Sequence, residues 1–278
     1  MRFSTNNLTT CGDSARISEM QNADDLIATT HGAVGTVRIN RPARKNAITL
    51  AMWRRIPELI AELSTKARVI VLTGAGVDFS AGADKRQFPL PSGGGGGARR
   101  AERANARAFA AIREAEVPVI AAIQGICFGG GFGLAAAADL RLAAPNSRFA
   151  VPAARLGLAY PAEAMADIVD SCGAQMARYL TMTGNVIDAG QALRCGLLLD
   201  IVEADGFDAH VQGVATRIAS SAPLSIKASR IAIRAALRND ATLRDRAQQA
   251  GDATFLSTDY AEGRNAFREK RTPHFVGK

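Results

Sequence analysis

The stretch Pro118-Val-Ile-Ala-Ala-Ile-Gln-Gly125, followed by Gly129-Gly-Gly131, carries the most information about the fold. A short apolar run bounded by proline and glycine favours a buried strand over a helix. The three glycines open a helix of small residues, predicted over 132–138. The stretch therefore predicts a strand that ends in a glycine-rich loop, from which a helix begins.

The same arrangement occurs once more, closer to the N-terminus. The run Arg68-Val-Ile-Val-Leu-Thr73 predicts a short buried strand, and Phe79-Ser-Ala-Gly-Ala-Asp84 predicts a loop that leads into a helical turn. Before it, Leu26–Thr30 and Ala33–Asn40 predict a hairpin. Asn46 is then expected to cap a helix at about 49–66.

The remaining segments continue the alternation of strands and helices and end in a helical third. The predicted elements are a helix at about 98–115, strands near 139–143 and 148–150, mostly helix from about 163 with one strand at 198–202, and amphipathic helices at about 206–220, 223–238 and 241–270, the last broken. This pattern predicts an α/β fold. We expect a loose polar tail at 1–23, a core at 24–205 and a C-terminal helical region at 206–278, with Gly93–Gly97 in a surface loop.

Composition narrows the range of functions. The net charge is +8, but the arginines alternate with acids and aromatic residues make up only 5% of the chain, which argues against nucleic-acid binding as the primary role. No apolar run approaches the length of a membrane span. The four cysteines form no CxxC pair, which favours reduced thiols in a cytoplasmic protein and no zinc site. The positive charge suits a small polyanionic ligand.

The two glycine-bearing loops can bind an oxyanion if they converge. The first N–H groups of a helix have no internal acceptor, and the helix dipole favours negative charge there. Two alternatives remain open. The glycines can serve only tight turns and close packing, or Gly131–Ala136 can form a dinucleotide-binding GxGxxA loop. The second alternative lacks an acidic residue about 20 positions later, where a ribose partner belongs.

Together these segments resemble the crotonase family, the enoyl-CoA hydratases and isomerases, from about residue 26 to the C-terminus. Besides the two strand–loop stretches above, the matching motifs are Val37-Arg-Ile-Asn-Arg-Pro42, Asn46-Ala47, Ala138-Asp-Leu-Arg141, Phe149, Pro152, Leu156-Gly-Leu158, and the closing Tyr260–Lys270 with Pro273 and Phe275. The resemblance implies a spiral of ββα units whose C-terminal helices form trimers, often paired as hexamers. It also implies a coenzyme A thioester as substrate, without a further cofactor or a metal, and a role in fatty acid metabolism.

The resemblance also implies a set of site residues. The oxyanion-hole donors of the family correspond to the backbone N–H groups of Ala83 and Gly130. The nucleotide end of coenzyme A is expected near a first group of residues, with a second group from a neighbouring subunit closing over it. The first group is Arg44, Lys45, Ala81 and Arg86, and the second is Phe267 and Lys270.

The chain departs from the hydratases at both of their catalytic glutamates, which correspond to Gly133 and Ala153. The acid of the single-carboxylate isomerases corresponds to Pro161, which leaves Glu163 and Tyr160 as candidates for proton transfer. Alternatively, Glu163 only starts a helix, where the dipole favours a carboxylate, and Tyr160 only lines a pocket.

Three functions therefore remain open. The first is a crotonase-type lyase or isomerase that acts on an acyl-CoA enolate. The second is a non-catalytic acyl-CoA-binding protein, a carrier or regulator, which the loss of both glutamates would explain. The third, RNA binding through the basic surface, predicts a steep dependence on salt.

Overall fold

The computed structural model describes residues 25–84, 86 and 96–278, and the predicted tail at 1–23 and residues 93–95 of the glycine run lie outside this part of the chain. The strands are β1 (Leu26–His31), β2 (Val34–Ile39), β3 (Val69–Gly74), β4 (Val119–Ile123), β5 (Ile126–Phe128), β6 (Leu140–Ala143), β7 (Arg148–Ala150), β8 (Ile187–Asp188) and β9 (Asp200–Ile201). The α-helices are α1 (Leu50–Ser64), α2 (Gly96–Arg113), α3 (Gly130–Ala137), α4 (Ala162–Thr183), α5 (Ala189–Arg194), α6 (Phe207–Ala219), α7 (Pro223–Arg238), α8 (Ala241–Phe255) and α9 (Thr258–Glu269).

The larger of two sheets has six strands in the order β1-β2-β3-β4-β6-β9. The predicted hairpin is present, since β1 pairs antiparallel with β2, and every later pair in this sheet is parallel. Parallel strands need a crossover between them. The helices that follow β2, β3 and β4 supply these crossovers.

Both faces of this sheet are buried, which explains the uninterrupted apolar runs in its strands. In β3, Ile70 and Leu72 face the main core, while Val69 and Val71 face a second core. The second core is closed by α6, through Phe207 and its neighbours. Because successive side chains of a strand point to opposite faces, the inner strands β2, β3, β4 and β6 each contribute to both cores.

A second layer of extended chain lies beside the large sheet. It contains the sheet β5-β7-β8 and two isolated parallel bridges, Ser80 with Cys127 and Ile48 with Ala83. The chain therefore repeats one path: a strand in the large sheet, a short extended stretch in the second layer, then a helix. This repeat is the predicted spiral of ββα units. The sequence did not predict β5 or β8, which are three and two residues long.

The predicted cap of α1 is wrong. The side chain of Thr49 caps this helix by accepting a hydrogen bond from the Met52 N–H at 3.2 Å. Asn46 instead adopts a left-handed conformation, with φ 54°, and is completely buried. Its amide donates to the carbonyl oxygens of Ala75 and Asp78. Asn46 therefore fixes the loop after β3 rather than a helix end.

The C-terminal region is helical, as expected, and the predicted helix at 241–270 is broken into α8 and α9, with Ser257 capping α9. An ionic cluster joins α7 to the core, because the buried carboxylate of Asp167 on α4 accepts from Arg113 of α2 and Arg238 of α7, both at 2.6 Å.

Within the described ranges, no helix is both long and apolar enough to cross a bilayer.

Candidate functional site

The first loop of the site presents the backbone N–H of Ala83. The Ile48 N–H donates to the Gly82 carbonyl oxygen at 2.8 Å, and the Asp84 N–H donates to the Ile48 carbonyl oxygen at 2.9 Å. In such a parallel bridge, the N–H of the residue between the two bonds points away from the partner strand. The Ala83 N–H therefore faces away from Ile48, and it has no acceptor among residues 25–84, 86 and 96–278.

The second loop presents the N–H of Gly130. Gly129 stands before α3 with φ 55° and ψ −119°, a conformation that glycine alone adopts without strain. The N–H of Gly129 is used, since it donates to the Ala150 carbonyl oxygen at 2.9 Å. Gly130 is the first residue of α3, and its N–H has no acceptor in the described part of the chain.

The two loops lie so close that their glycines are required. A Cβ atom on Gly82 would lie 2.8 Å from the Gly130 nitrogen, and one on Gly130 would lie 3.6 Å from the Ala83 nitrogen. Gly131 has a different role, since a Cβ there would lie 2.7 Å from the Ser80 carbonyl oxygen. The third glycine therefore serves close packing, as the structural alternative proposed. Gly82 and Gly130, in contrast, let the backbone N–H groups of Ala83 and Gly130 lie side by side. Two neighbouring N–H donors are the arrangement that stabilises a developing oxyanion.

Aromatic rings form the wall beside these donors. The indole of Trp53 lies against Gly130, where a Cβ would meet the ring carbon Cζ2 at 2.8 Å. The ring of Phe109 lies against Gly133, where a Cβ would meet Cε1 at 2.8 Å. The two rings contact each other edge to face, with centroids 5.7 Å apart. Phe109 therefore fills the space that a side chain at 133 would need.

Neither ring was predicted as part of the site. In the sequence both lie on the apolar faces of amphipathic helices, where they cannot be distinguished from ordinary core residues. Only the convergence of α1, α2 and α3 brings them against the glycine loop.

The structure separates the two candidates for proton transfer. The Tyr160 hydroxyl lies beside the second loop, 3.8 Å from the position of a Cβ on Gly129. Burial raises the pKa of Tyr160, so its phenol stays protonated at neutral pH. Glu163 lies in the first turn of α4, is exposed, and has no hydrogen bond or ion pair to another described residue. Ala153 is buried, just before the turn Ala154–Leu156.

The expected nucleotide-binding residues lie on the surface beside the first loop. Arg44, Lys45 and Arg86 are exposed, and the Ala81 N–H donates to the Lys45 carbonyl oxygen at 2.8 Å. Lys45 is thus held beside the loop that carries Ala83, Arg44 precedes Lys45 in the chain, and Arg86 follows the loop. Phosphate groups would be attracted to such a surface.

Asp84 anchors this surface. It forms an ion pair with Arg41, with 3.1 Å between Nη1 and Oδ2, and accepts from the Arg86 N–H at 3.3 Å. Burial by itself would raise the pKa of Asp84, but the hydrogen bonds and charges of the two arginines outweigh it, and the pKa is lower than usual. Asp84 therefore stays ionised and holds the backbone that follows Ala83.

Phe267 and Lys270 lie far along the chain, in and just after α9. The Phe267 ring is 86% exposed, and neither side chain hydrogen-bonds to another described residue. A single chain does not bring them to the cationic surface.

Cys127 lies in β5, just before the second loop. Cys127 is fully buried, and burial raises the pKa of its thiol, so it is a core residue rather than a nucleophile. In the ranges that the structure describes, no three His, Cys, Asp or Glu side chains group as metal ligands.

Comparison with known proteins agrees with this geometry. The family model for enoyl-CoA hydratase/isomerase matches residues 29–278. The chain belongs to the enoyl-CoA hydratase/isomerase family. One relative is the short-chain-enoyl-CoA hydratase of Clostridium acetobutylicum, which is 31% identical over 253 residues that cover 89% of this chain and 96% of the relative.

Other members of the enoyl-CoA hydratase/isomerase family are equally similar. The carnitinyl-CoA dehydratase of Citrobacter koseri is 31% identical over 272 residues, which cover 92% of this chain and 100% of the relative. The crystal structure of an enoyl-CoA hydratase/carnithine racemase from Magnetospirillum magneticum superposes with a TM-score of 0.84 at 35% identity, covering 92% of this chain and 96% of that one. The crotonase-type α/β fold predicted from the sequence is therefore confirmed.

Proposed function

We propose that this chain binds an acyl-coenzyme A thioester and polarises its carbonyl oxygen with the N–H groups of Ala83 and Gly130. The observation that supports this proposal is that the N–H groups of Ala83, in the first loop, and Gly130, at the start of α3, lie close together and have no acceptor among the described residues. An oxygen held there gains stabilisation when it becomes an enolate, and each donor contributes about 3 kcal/mol by analogy with measured oxyanion holes. The exposed cations Arg44, Lys45 and Arg86, with Ala81, would bind the nucleotide end.

We further propose that the reaction is a lyase or isomerase reaction other than standard hydration. Addition of water needs two groups that transfer protons, and the resemblance puts these at Gly133 and Ala153. Neither residue can transfer a proton. Phe109, whose ring fills the space above Gly133, supports this view, because it leaves no room for a carboxylate there.

The proton-transfer step is assigned to Tyr160, with Glu163 as the second candidate. Tyr160 lies beside the glycine loop and its phenol is protonated at neutral pH, so it holds a proton that it can donate to an enolate. Glu163 would have to reach the pocket from its exposed position in the first turn of α4.

A non-catalytic acyl-CoA-binding role is the second candidate function. It is favoured by the aromatic wall of Trp53 and Phe109, since neither ring can transfer a proton. A carrier or regulator needs the donors and the cations but no acid or base.

Calorimetry and mass spectrometry separate these functions. Purified protein is titrated with butyryl-CoA and then incubated with a panel of enoyl-CoA thioesters. The enzyme proposal expects binding and turnover, with a loss of about a hundredfold in Tyr160→Phe and a smaller effect in Glu163→Gln. Tyr179→Phe and Glu203→Gln, on exposed residues, serve as controls. Binding without turnover would favour the carrier, and absence of binding would contradict both.

We also propose a homotrimer, or a hexamer of two trimers, in the cytoplasm. The support is a set of exposed large apolar side chains in the C-terminal helical region, and a homotrimer would cover them and bring a neighbour's Phe267 and Lys270 over the nucleotide. These side chains are Ile233, Leu237, Phe255, Leu256 and Phe267. Light scattering measures the assembly directly, and a monomer at micromolar concentration would contradict this proposal.

A further inference from the structure

The indole N–H of Trp53 is buried without a hydrogen-bond partner. Trp53 is 1% exposed, and its Nε1 has no acceptor among the described residues. Buried donors of this kind are nearly always paired in folded proteins, by protein, water or ligand. An indole N–H of this kind next to a proposed binding site therefore indicates a partner that none of the described residues supplies.

The N–H lies on the edge of the indole that faces the oxyanion-binding loop. The ring atoms nearest to Gly130 are Cζ2, 2.8 Å from the position of a Cβ there, and Cη2, at 3.0 Å. In the indole ring Cζ2 is bonded to Cε2, which carries Nε1. The donor is therefore two bonds from the ring atom that contacts Gly130.

A complementary orphan, the side-chain oxygen of Asn105, lies on α2. Asn105 is the polar member of the buried face of this helix, among Ala101, Ala104, Ala108 and Phe109. Its Oδ1 is buried and has no donor in the described part of the chain.

Both orphaned atoms belong to one junction of three helices. Asn105 precedes Phe109 by one turn, so the two side chains lie on the same face of α2. Phe109 contacts Trp53 on α1 and Gly133 on α3, and Trp53 contacts Gly130 on α3. An N–H without an acceptor and an oxygen without a donor therefore lie on neighbouring helices beside the second loop.

We propose that Trp53 Nε1 and Asn105 Oδ1 bind a hydroxyl group on the acyl chain of the substrate. A hydroxyl accepts one hydrogen bond and donates another, which matches the two orphaned atoms. A carboxylate would accept from the indole but would face the lone pairs of Asn105, and an ammonium group cannot accept from Trp53. The two residues would therefore select hydroxyacyl thioesters over plain acyl thioesters.

This inference rests on the proposed acyl-CoA function, and three probes separate the two. Butyryl-CoA, 3-hydroxybutyryl-CoA and 4-hydroxybutyryl-CoA are each titrated calorimetrically. We expect one hydroxylated thioester to bind at least about tenfold more tightly than butyryl-CoA. Absence of binding by all three would overturn the proposed function and this inference with it. Equal binding of all three would overturn only the inference.

The indole itself gives a second readout, because Trp53 is the single tryptophan of the chain. Its one indole N–H resonance in a nitrogen-15 spectrum should move downfield with the preferred hydroxylated thioester and less with butyryl-CoA. The inference would be overturned if the indole N–H contacts the same bound water in the free protein and in all three complexes. A resident water would then satisfy both atoms.

Variants assign the preference to the two residues. Trp53→Phe keeps an aromatic ring without the N–H, and Asn105→Leu removes the acceptor at similar size. Each variant should bring the ratio of the dissociation constants for butyryl-CoA and for the preferred hydroxylated thioester close to one. Asn265→Leu, on α9, is the matched control and should keep the preference. If Trp53→Phe does not fold, Asn105→Leu decides alone, and an unchanged ratio in it would overturn the inference.

Discussion

The ring of Phe109 lies directly against the Cα of Gly133, and a Cβ at that position would come within 2.8 Å of Cε1 and 3.0 Å of Cε2. Both residues are buried, so the ring has little room to move away. We predict that Gly133→Ala lowers the free energy of unfolding by about 1–3 kcal/mol through overpacking. Chemical denaturation of the variant measures this.

A helical glycine with free space around it provides the control. No atom lies within 4 Å of a Cβ on Gly213, in α6, so Gly213→Ala should instead raise the free energy of unfolding by about 0.5–1 kcal/mol. The cost of Gly133→Ala should also shrink in a Phe109→Leu background. Equal costs in both backgrounds would contradict the proposed clash.

The conformation of Gly129 should be needed for ligand binding. Its φ of 55° with ψ −119° strains any residue with a Cβ, although only the Tyr160 hydroxyl lies near that position, at 3.8 Å. We expect Gly129→Ala to cost about 1–3 kcal/mol of stability. Because relaxation of this strain turns the Gly130 N–H, affinity for acyl-CoA should also fall, on the order of tenfold.

Gly196→Ala is the control for this effect. Gly196 also has a positive φ, 82°, and open space around it, but it lies away from the glycine loops. Its replacement should lower stability without changing the affinity. A loss of affinity in both variants would mean that general destabilisation, rather than the orientation of the Gly130 N–H, is the cause.

The ion pair between Arg41 and Asp84 should make the first loop sensitive to acid. The pKa of Asp84 is lower when folded, so its contribution to stability is complete above the usual aspartate pKa and is lost as pH falls through the lowered value. Asp84→Asn should cost about 1–3 kcal/mol at pH 7, because it removes one of the two carboxylates that pair with Arg41, the other being that of Asp25. Stability measured between pH 7 and pH 2 should fall less steeply in the variant.

A surface pair gives the comparison for Asp84→Asn. Glu58 pairs with Arg55 on the exposed side of α1, and Glu58→Gln should change stability by less than about 1 kcal/mol. An effect of Asp84→Asn as small as this would contradict the structural role of the pair.

The exposed cations beside the first loop should act on the phosphates of coenzyme A and not on the acyl group. The double variant Arg44→Ala/Lys45→Ala should lower affinity for butyryl-CoA on the order of tenfold and weaken its salt dependence. Affinity for butyryl-pantetheine, which lacks the nucleotide, should not change. Arg54→Ala/Lys66→Ala removes two other exposed cations and should affect neither ligand.

Much of the fold could be predicted because its signals are local. The apolar runs of β3 and β4 and the glycines that follow them lie within single stretches of sequence, and their order identifies the family. The strands β5 and β8 were not predicted, because β5 lies in the stretch that was interpreted as a glycine-rich loop and β8 in the segment from about 163 that was predicted to be mostly helix.

Backbone groups are the part of the proposed site for which the sequence carries a local signal. Asn46 has the side chain of a helix cap, but its partners Ala75 and Asp78 lie 29 and 32 residues away, and the nearer Thr49 caps the helix. Trp53 and Phe109 were likewise hidden in helical apolar stripes. Side-chain roles that depend on distant segments have no local signal.

The hydrogen bonds that hold the second layer join distant parts of the chain, and this has a consequence for the order of folding. Ser80 donates to the Asn46 carbonyl oxygen across 34 residues, and the Ile126 N–H donates to Asp78 across 48 residues. Contacts this distant along the chain form late, because the entropy of closing the loops between them must be overcome first. A refolding chain should therefore regain its helical circular dichroism before it regains affinity for a thioester, so that ligand binding reports completion of the spiral.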